Sequence, residues 1–279
     1  MARAKSISVF LMDGESDGRY KCSIFGYTAE AYKVPKSMID KCTDIEHLNQ
    51  SGVYFLLGTD DNDNPAVYIG QACTRKNKKG LLLRVKEKHK GFPEWTETIM
   101  LTTSDDLLGP TEISYLENRF CNMAIEANRY VVKNGNEPNP GNISEEKKAD
   151  METFAENAEL LIGTLGHNIF KPLVSQNDEA NGLKLFFSTG KADAKAILTS
   201  EGIVLLKGSR ISDTTVTSCP ANVLRAREQH KDKVDSNYIL KENILFDKTS
   251  VALSFATGNS ISGPKNWKNE EGIPLEQLD

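Results

Sequence analysis

The sequence predicts a mixed α/β fold of the α+β kind in two domains, and three observations carry that expectation. Two β-branched and aromatic runs, SGVYFLLG and AVYIGQA, flank a turn-forming break from Asp60 to Pro65, the pattern of an antiparallel hairpin. Between Glu112 and Asn128 the residues Ile113, Leu116, Phe120, Met123, Ala124 and Ala127 recur at helical spacing and define one apolar stripe. Beyond the turn-dense NGNEPNPG at 134–141, strand-like segments return from Gly182 onward. A chain of 279 residues is long enough to build two cores.

Taken in order, residues 1–50 hold the alternating stretches SISVFLM and GRYKCSIFGYTAEAYKV and then a short helix around Ser37 to Asn49. The hairpin follows, with Gly52-Val53-Tyr54 in its first strand and Tyr68-Ile69-Gly70 in its second. After a basic segment, Trp95 to Thr103 reads as a strand, and Gly109 and Pro110 break the chain before the amphipathic helix. A second long helix carries Met151, Phe154, Ala158, Leu161, Ile162 and Leu165 on one stripe, and Glu145 and Glu146 suit its N-terminus. It is expected to bridge the domains. The strands LKLFFS and EGIVLLKGS, a helix from Ala221 to Lys233 and short pieces up to Trp267 complete the chain. The expected division is a first domain over 1–142, a bridging helix and linker over 143–180, and a small α+β domain over 181–279.

Composition narrows the class. The apolar run from Ile7 to Met12 is interrupted by Ser8 and is too short for a signal peptide core or a spanning helix, so a cytoplasmic protein without membrane association is expected. Five scattered cysteines, Cys22, Cys42, Cys73, Cys121 and Cys219, form no CxxC pair and read as free thiols. The net charge of −5 argues against indiscriminate coating of nucleic acid. One local patch departs from it: between Arg75 and Lys90 stand eight Lys/Arg against the single acid Glu87. Arg75, Lys76, Lys78, Lys79, Lys86 and Lys90 are either a solvated helix face or a ridge that contacts phosphates beside the hairpin.

At 100° per residue, Glu117 projects near Ile113 and Ala124, at the border of the apolar stripe. A carboxylate there calls for an ion pair, a solvent rim or a metal. Asp60, Asn62 and Asn64 suggest a calcium loop, but Pro65 and Gln71 stand where such a loop needs glycine and glutamate. No P-loop, HExxH, GxSxG or GxGxxG occurs, which removes the commonest NTPase, metalloprotease, esterase and dinucleotide readings.

The ordered set GVY at 52–54, YIG at 68–70, Arg84 in LLLRVKEKH and Glu117 in YLENRF resembles the GIY-YIG nuclease family over roughly residues 20–140. The resemblance implies a small domain with a three-stranded antiparallel sheet flanked by helices, cutting DNA with one Mg²⁺ or Mn²⁺. It further implies that Tyr54 or Tyr68 orients or deprotonates the attacking water, that Arg84 neutralises the scissile phosphate, and that Glu117 is the metal ligand. A phenol of pKa ~10 is a poor base unless nearby cations favour its ionised form. The family's assisting group one turn after the arginine corresponds to Lys88 or His89, and five residues from Arg84 rotate His89 about 140° around a helix. The family's late asparagine corresponds to Asn136, with Asn134 as competitor.

Two further expectations follow. The lysine-rich insertion between Gly70 and Arg84 also fits a DNA-binding or assembly module that keeps the fold with weak or no catalysis. The C-terminal strings LLKGSR and SVALSFATGNSISGPKNWKN, with Gly258, Ser260, Gly263 and Trp267, resemble an uncharacterised domain appended to such nucleases. Its basic residues Arg210, Arg225, Arg227, Lys231 and Lys233 are either DNA contacts or a solvated helix of mixed charge.

Overall fold

The apolar alternation of the first 103 residues is resolved, in a computed structural model describing residues 4–74, 80–135 and 138–278, into one antiparallel array. Its strands are β1 (Ile7–Leu11), β2 (Tyr20–Ile24), β3 (Ala29–Pro35), β4 (Gly52–Thr59) and β5 (Pro65–Ala72). The short helix α1 (Leu81–Lys86), strand β6 (Glu97–Thr103), helix α2 (Pro110–Ala127), strand β7 (Val131–Val132) and helix α3 (Glu145–Thr164) follow. The sheet order is β1-β2-β3-β6-β4-β5-β7, with only β7 parallel to its neighbour. The expected three-stranded sheet is therefore replaced by seven strands, because β3 pairs along its whole length with β6 and carries β1 and β2 with it.

The hairpin is as expected, with β4 and β5 in register from Gly52 opposite Ala72 to Thr59 opposite Pro65. Asp60 closes it by accepting the Asn62 and Asn64 amides at 2.9 Å each, a turn role. The expected helix over Ser37 to Asn49 is instead two short 3-10 stretches, Lys36–Cys42 and Glu46–Asn49. Alternation puts two cores on the two faces of the sheet. Val53, Phe55, Val67 and Ile69 face α2 and α3, whereas Tyr54, Leu56, Ala66 and Tyr68 face α1.

The stripe on α2 buries Ile113, Leu116, Phe120, Ala124 and Ala127 as its period requires, and Asn128 ends the helix at φ 50°. Helix α3 is not a bridge. Its residues Phe154, Ala155, Ala158, Leu161 and Ile162 pack into the same core as Phe55 and Leu116, since an amphipathic stripe is stabilised only where apolar partners cover it. The chain accordingly divides at 171/172 into Met1–Lys171 and Pro172–Asp279, in place of the expected borders at 142 and 180.

The second unit contains α4 (Gln176–Asn181), β8 (Leu183–Ser188), β9 (Asp193–Thr199), β10 (Gly202–Leu205), α5 (Ala221–Gln229), β11 (Ile244–Phe246), α6 (Thr249–Thr257) and α7 (Gly263–Asn266). Its four-stranded sheet runs β11-β10-β9-β8 and packs Leu185, Ala196, Ile203 and Leu205 against α6 and the fully buried Trp267. The motif residues noted above close the ends of α6. Gly258 terminates it at φ +71°, where a side chain would also strike the Thr214 carbonyl. Trp267 donates its indole N–H to the Thr249 carbonyl at 3.0 Å, and the Gly263 amide donates to Ser250 Oγ at 2.8 Å.

Arg227 is likewise spent internally. Its guanidinium donates to the Ser212 carbonyl at 3.0 Å and to the carbonyls of Phe255 at 2.9 and 2.6 Å and Ala256 at 3.3 Å, the last two left over at the end of α6. Lys231, still exposed, pairs with Glu228, and Lys233 pairs with Glu242; Arg210 and Arg225 are exposed as well. Arg227→Met is expected to lower the stability of the second unit by about 2 kcal/mol, since several carbonyls lose a charged donor at once. Urea unfolding of the full chain should then show an earlier transition assignable to residues 172–279, and an unchanged midpoint would refute the capping role.

All five cysteines are free, and Cys73 is the exposed one. Among the described residues no helix is long and apolar enough to cross a membrane.

Candidate active site

Tyr54 and Gly70 stand directly opposite each other on β4 and β5. The tyrosine is fully buried, and its ring fills the space that a side chain on Gly70 would occupy: a Cβ there would lie 2.5 Å from Tyr54 Cζ and 2.9 Å from Cε1. The last residue of the YIG motif is thus small because the last residue of the GVY motif is large. Gly52 is small for a different reason, since its Cβ would strike the Leu101 carbonyl and lie 2.7 Å from Leu81 Cδ1.

Three rings, those of Tyr54, Tyr68 and His89, converge here. Tyr68 lies 6.2 Å from Tyr54 between centroids, His89 lies 5.6 Å from Tyr54, and His89 lies 5.8 Å from Tyr68. The sequence estimate for His89 fails here. Helix α1 ends at Lys86 and Glu87 is extended, so the helical rotation of 140° does not apply. The chain turns back and seats His89 over the tyrosines. Its Nε2 lies 3.2 Å from the Arg84 carbonyl and 3.3 Å from that of Val85. Carbonyls only accept, so Nε2 carries the hydrogen and Nδ1 is the proton-accepting nitrogen.

The electrostatics separate these groups. Burial, and then Tyr68, push the Tyr54 phenol well above its ordinary range, and the nearby Arg84 only partly opposes them. The Tyr54 hydroxyl is buried without a hydrogen bond of good geometry, so it stays protonated at neutral pH. Burial lowers His89, with Arg84 adding to the effect, so the imidazole is neutral there. Its linkage to folding has a definite sign. The unfolded chain binds the proton first as pH falls, so the His89 contribution is complete above the ordinary imidazole value of 6.5 and declines as pH falls through it. The urea midpoint of the first unit is expected to drop less between pH 8 and pH 5 in His89→Gln than in the wild type. Parallel pH profiles would disprove it.

Arg84 lies on α1, part-exposed, with Nη1 paired to Glu87 Oε2. Glu117 approaches from the opposite face of the sheet. It is half-buried, and burial raises its pKa while hydrogen bonds from the Gln71 side chain and backbone, and the charge of Arg84, pull it back. The two faces meet at the edge of β5. Strand β7 covers only Ala66 and Val67, and farther along Asn134 substitutes for a strand, its Nδ2 donating to the Ile69 carbonyl at 2.7 Å and its Oδ1 accepting the Ile69 amide at 3.1 Å.

The structure therefore brings together Tyr54, Tyr68, His89 and Arg84, with Glu117 hydrogen-bonded to Gln71 and within electrostatic reach of Arg84. It does not bring in Lys88, which is exposed, because α1 ends before it. Asn136, like Arg75, Lys76, Lys78 and Lys79, lies outside the described residues, and Asn134 is the asparagine that reaches β5. Lys86 is paired with Asp40 at 2.7 Å rather than lying free on a ridge, and Lys90 is exposed. Gln71 was missed in the sequence; its position directly after YIG was the available signal. Among the described residues no three His, Cys, Asp or Glu gather as a metal site.

A family described as a domain of unknown function (DUF4357) matches residues 185–279, within the second unit. No curated protein and no solved structure matches the chain.

Proposed function

We propose that the first unit is a metal-dependent endonuclease that hydrolyses phosphodiester bonds in DNA by GIY-YIG chemistry. The observation that supports this reading is the meeting of Tyr54, Tyr68, His89 and Arg84, with Glu117 held by Gln71 within electrostatic reach of Arg84. The neutral His89 Nδ1 is the group suited to accept a proton from water. The protonated Tyr54, with Tyr68 beside it, orients that water as a hydrogen-bond partner, a narrower role than that of a base. Arg84 offers a planar, always-charged fork to the phosphate. Glu117 fits a hard divalent cation: it is a half-buried carboxylate held against its preference for the neutral form, and the cation's charge would relieve that cost. Bound there, Mg²⁺ or Mn²⁺ would supply Lewis-acid stabilisation of phosphate charge.

The Arg84–Glu87 pair favours a second reading, a DNA-binding or assembly module with weak catalysis, because the arginine's charge is already matched. Cleavage of supercoiled plasmid and of labelled single-stranded DNA, with Mg²⁺, Mn²⁺ or EDTA, separates the two. Metal-dependent cutting supports the nuclease. DNA binding with no cutting under any divalent ion supports the module.

A further inference from the structure

Strand β1 is an edge of the seven-stranded sheet, and its exposed side is apolar: Val9 is 44 % exposed, Phe10 60 % and Leu11 43 %. Edge strands of soluble proteins are ordinarily blunted by charge, proline or a bulge. ISVFL has none of these.

The hydrogen-bond parity of β1 is known at both ends. The Phe25 amide donates to the Ser6 carbonyl at 3.1 Å and the Met12 amide to the Arg19 carbonyl at 2.9 Å, in the register that pairs Ile7 with Ile24 and Leu11 with Tyr20. Antiparallel bonding alternates residue by residue. Ser6, Ser8, Phe10 and Met12 thus turn their backbone groups toward β2, while Ile7, Val9 and Leu11 turn theirs outward. Outward-facing residues lie symmetrically about Val9.

We propose that β1 pairs antiparallel with β1 of a second copy of this chain, about a two-fold axis through Val9. In that register Val9 faces its own counterpart and Ile7 faces Leu11 in both directions. All outward amides then find carbonyls, and all three side-chain pairs on that face are apolar. The Leu11 carbonyl already accepts the Gly14 amide at 3.2 Å and retains a second lone pair. Charge agrees with the same register. Lys5 precedes the strand, while Glu15 and Asp17 follow it beyond Asp13, which is paired with Arg19, so antiparallel pairing brings the basic end of each copy to the acidic end of the other. Glu15 and Asp17 are exposed. The occupant is self-complementary in polarity, apolar pattern and charge, which a second copy satisfies without further assumption.

Sedimentation equilibrium of the full chain should give twice the 30.9 kDa chain mass, and Val9→Lys should give a monomer with an unchanged circular dichroism spectrum, because two like charges would then face each other. In a Cys73→Ser background, Val9→Cys should form an intermolecular disulfide on mild oxidation, since directly paired residues fall within bridging distance. Ser8→Cys, which faces Phe10 of the second copy, should not. A wild type that is monomeric up to high concentration, a Val9→Lys variant that remains dimeric, or equal cross-linking at positions 8 and 9 would overturn the proposal.

Discussion

Glu117→Ala is expected to lower metal-dependent DNA cleavage by at least about 10³-fold, roughly 4 kcal/mol of barrier, while leaving the fold intact. Glu117 is the carboxylate held by Gln71 within electrostatic reach of Arg84, and no ion pair of the described residues holds it in place as Lys147 holds Glu112. Its removal would take away the proposed metal ligand and very little packing. Stability gives a second readout. Because burial raises the Glu117 pKa above the ordinary 4.5, its contribution to folding is complete below that value and is lost as pH rises through the folded pKa. At pH 7 without divalent ions the charged carboxylate opposes folding, so Glu117→Gln should raise the thermal midpoint even as it removes activity. Added Mg²⁺ should stabilise the wild type and leave the glutamine variant unmoved. Wild-type cleavage rates in a folded Glu117→Ala variant would end the assignment, and so would equal Mg²⁺ responses.

Gly70→Ala should cost the first unit about 2 kcal/mol. The sign is informative, because alanine for glycine inside a strand ordinarily stabilises through the unfolded chain. Here the added methyl would enter the ring of Tyr54, with Cζ at 2.5 Å and Cε1 at 2.9 Å, and Tyr54 cannot retreat from a fully buried position. The two residues should therefore be coupled. In a Tyr54→Ala background the same substitution should cost at least about 1 kcal/mol less than in the wild type. Urea midpoints of the four proteins in the cycle test this, and simple additivity would contradict it.

What could be read in the sequence was local. The hairpin and the stripe on α2 are periodicities and spacings, and each stands where expected. What failed was non-local or depended on where an element stops. The end of α1 at Lys86 moved His89 from the far side of a helix to the tyrosine rings, and one extended residue decided it. Helix α3 showed the stripe of any amphipathic helix, but the stripe does not name its partner, and the bridge became part of the first core.

By itself, then, the sequence determined the β4–β5 hairpin and the apolar stripes of α2 and α3, because those follow from residue-level propensity and short-range pattern. Only the tertiary structure decided that seven strands share one sheet, that Gly70 is the space for Tyr54, that Asn134 rather than a strand covers Ile69, and that Arg227 caps α6. Each of these is a contact between residues far apart in the chain, set by which apolar faces and unpaired backbone groups can be buried together.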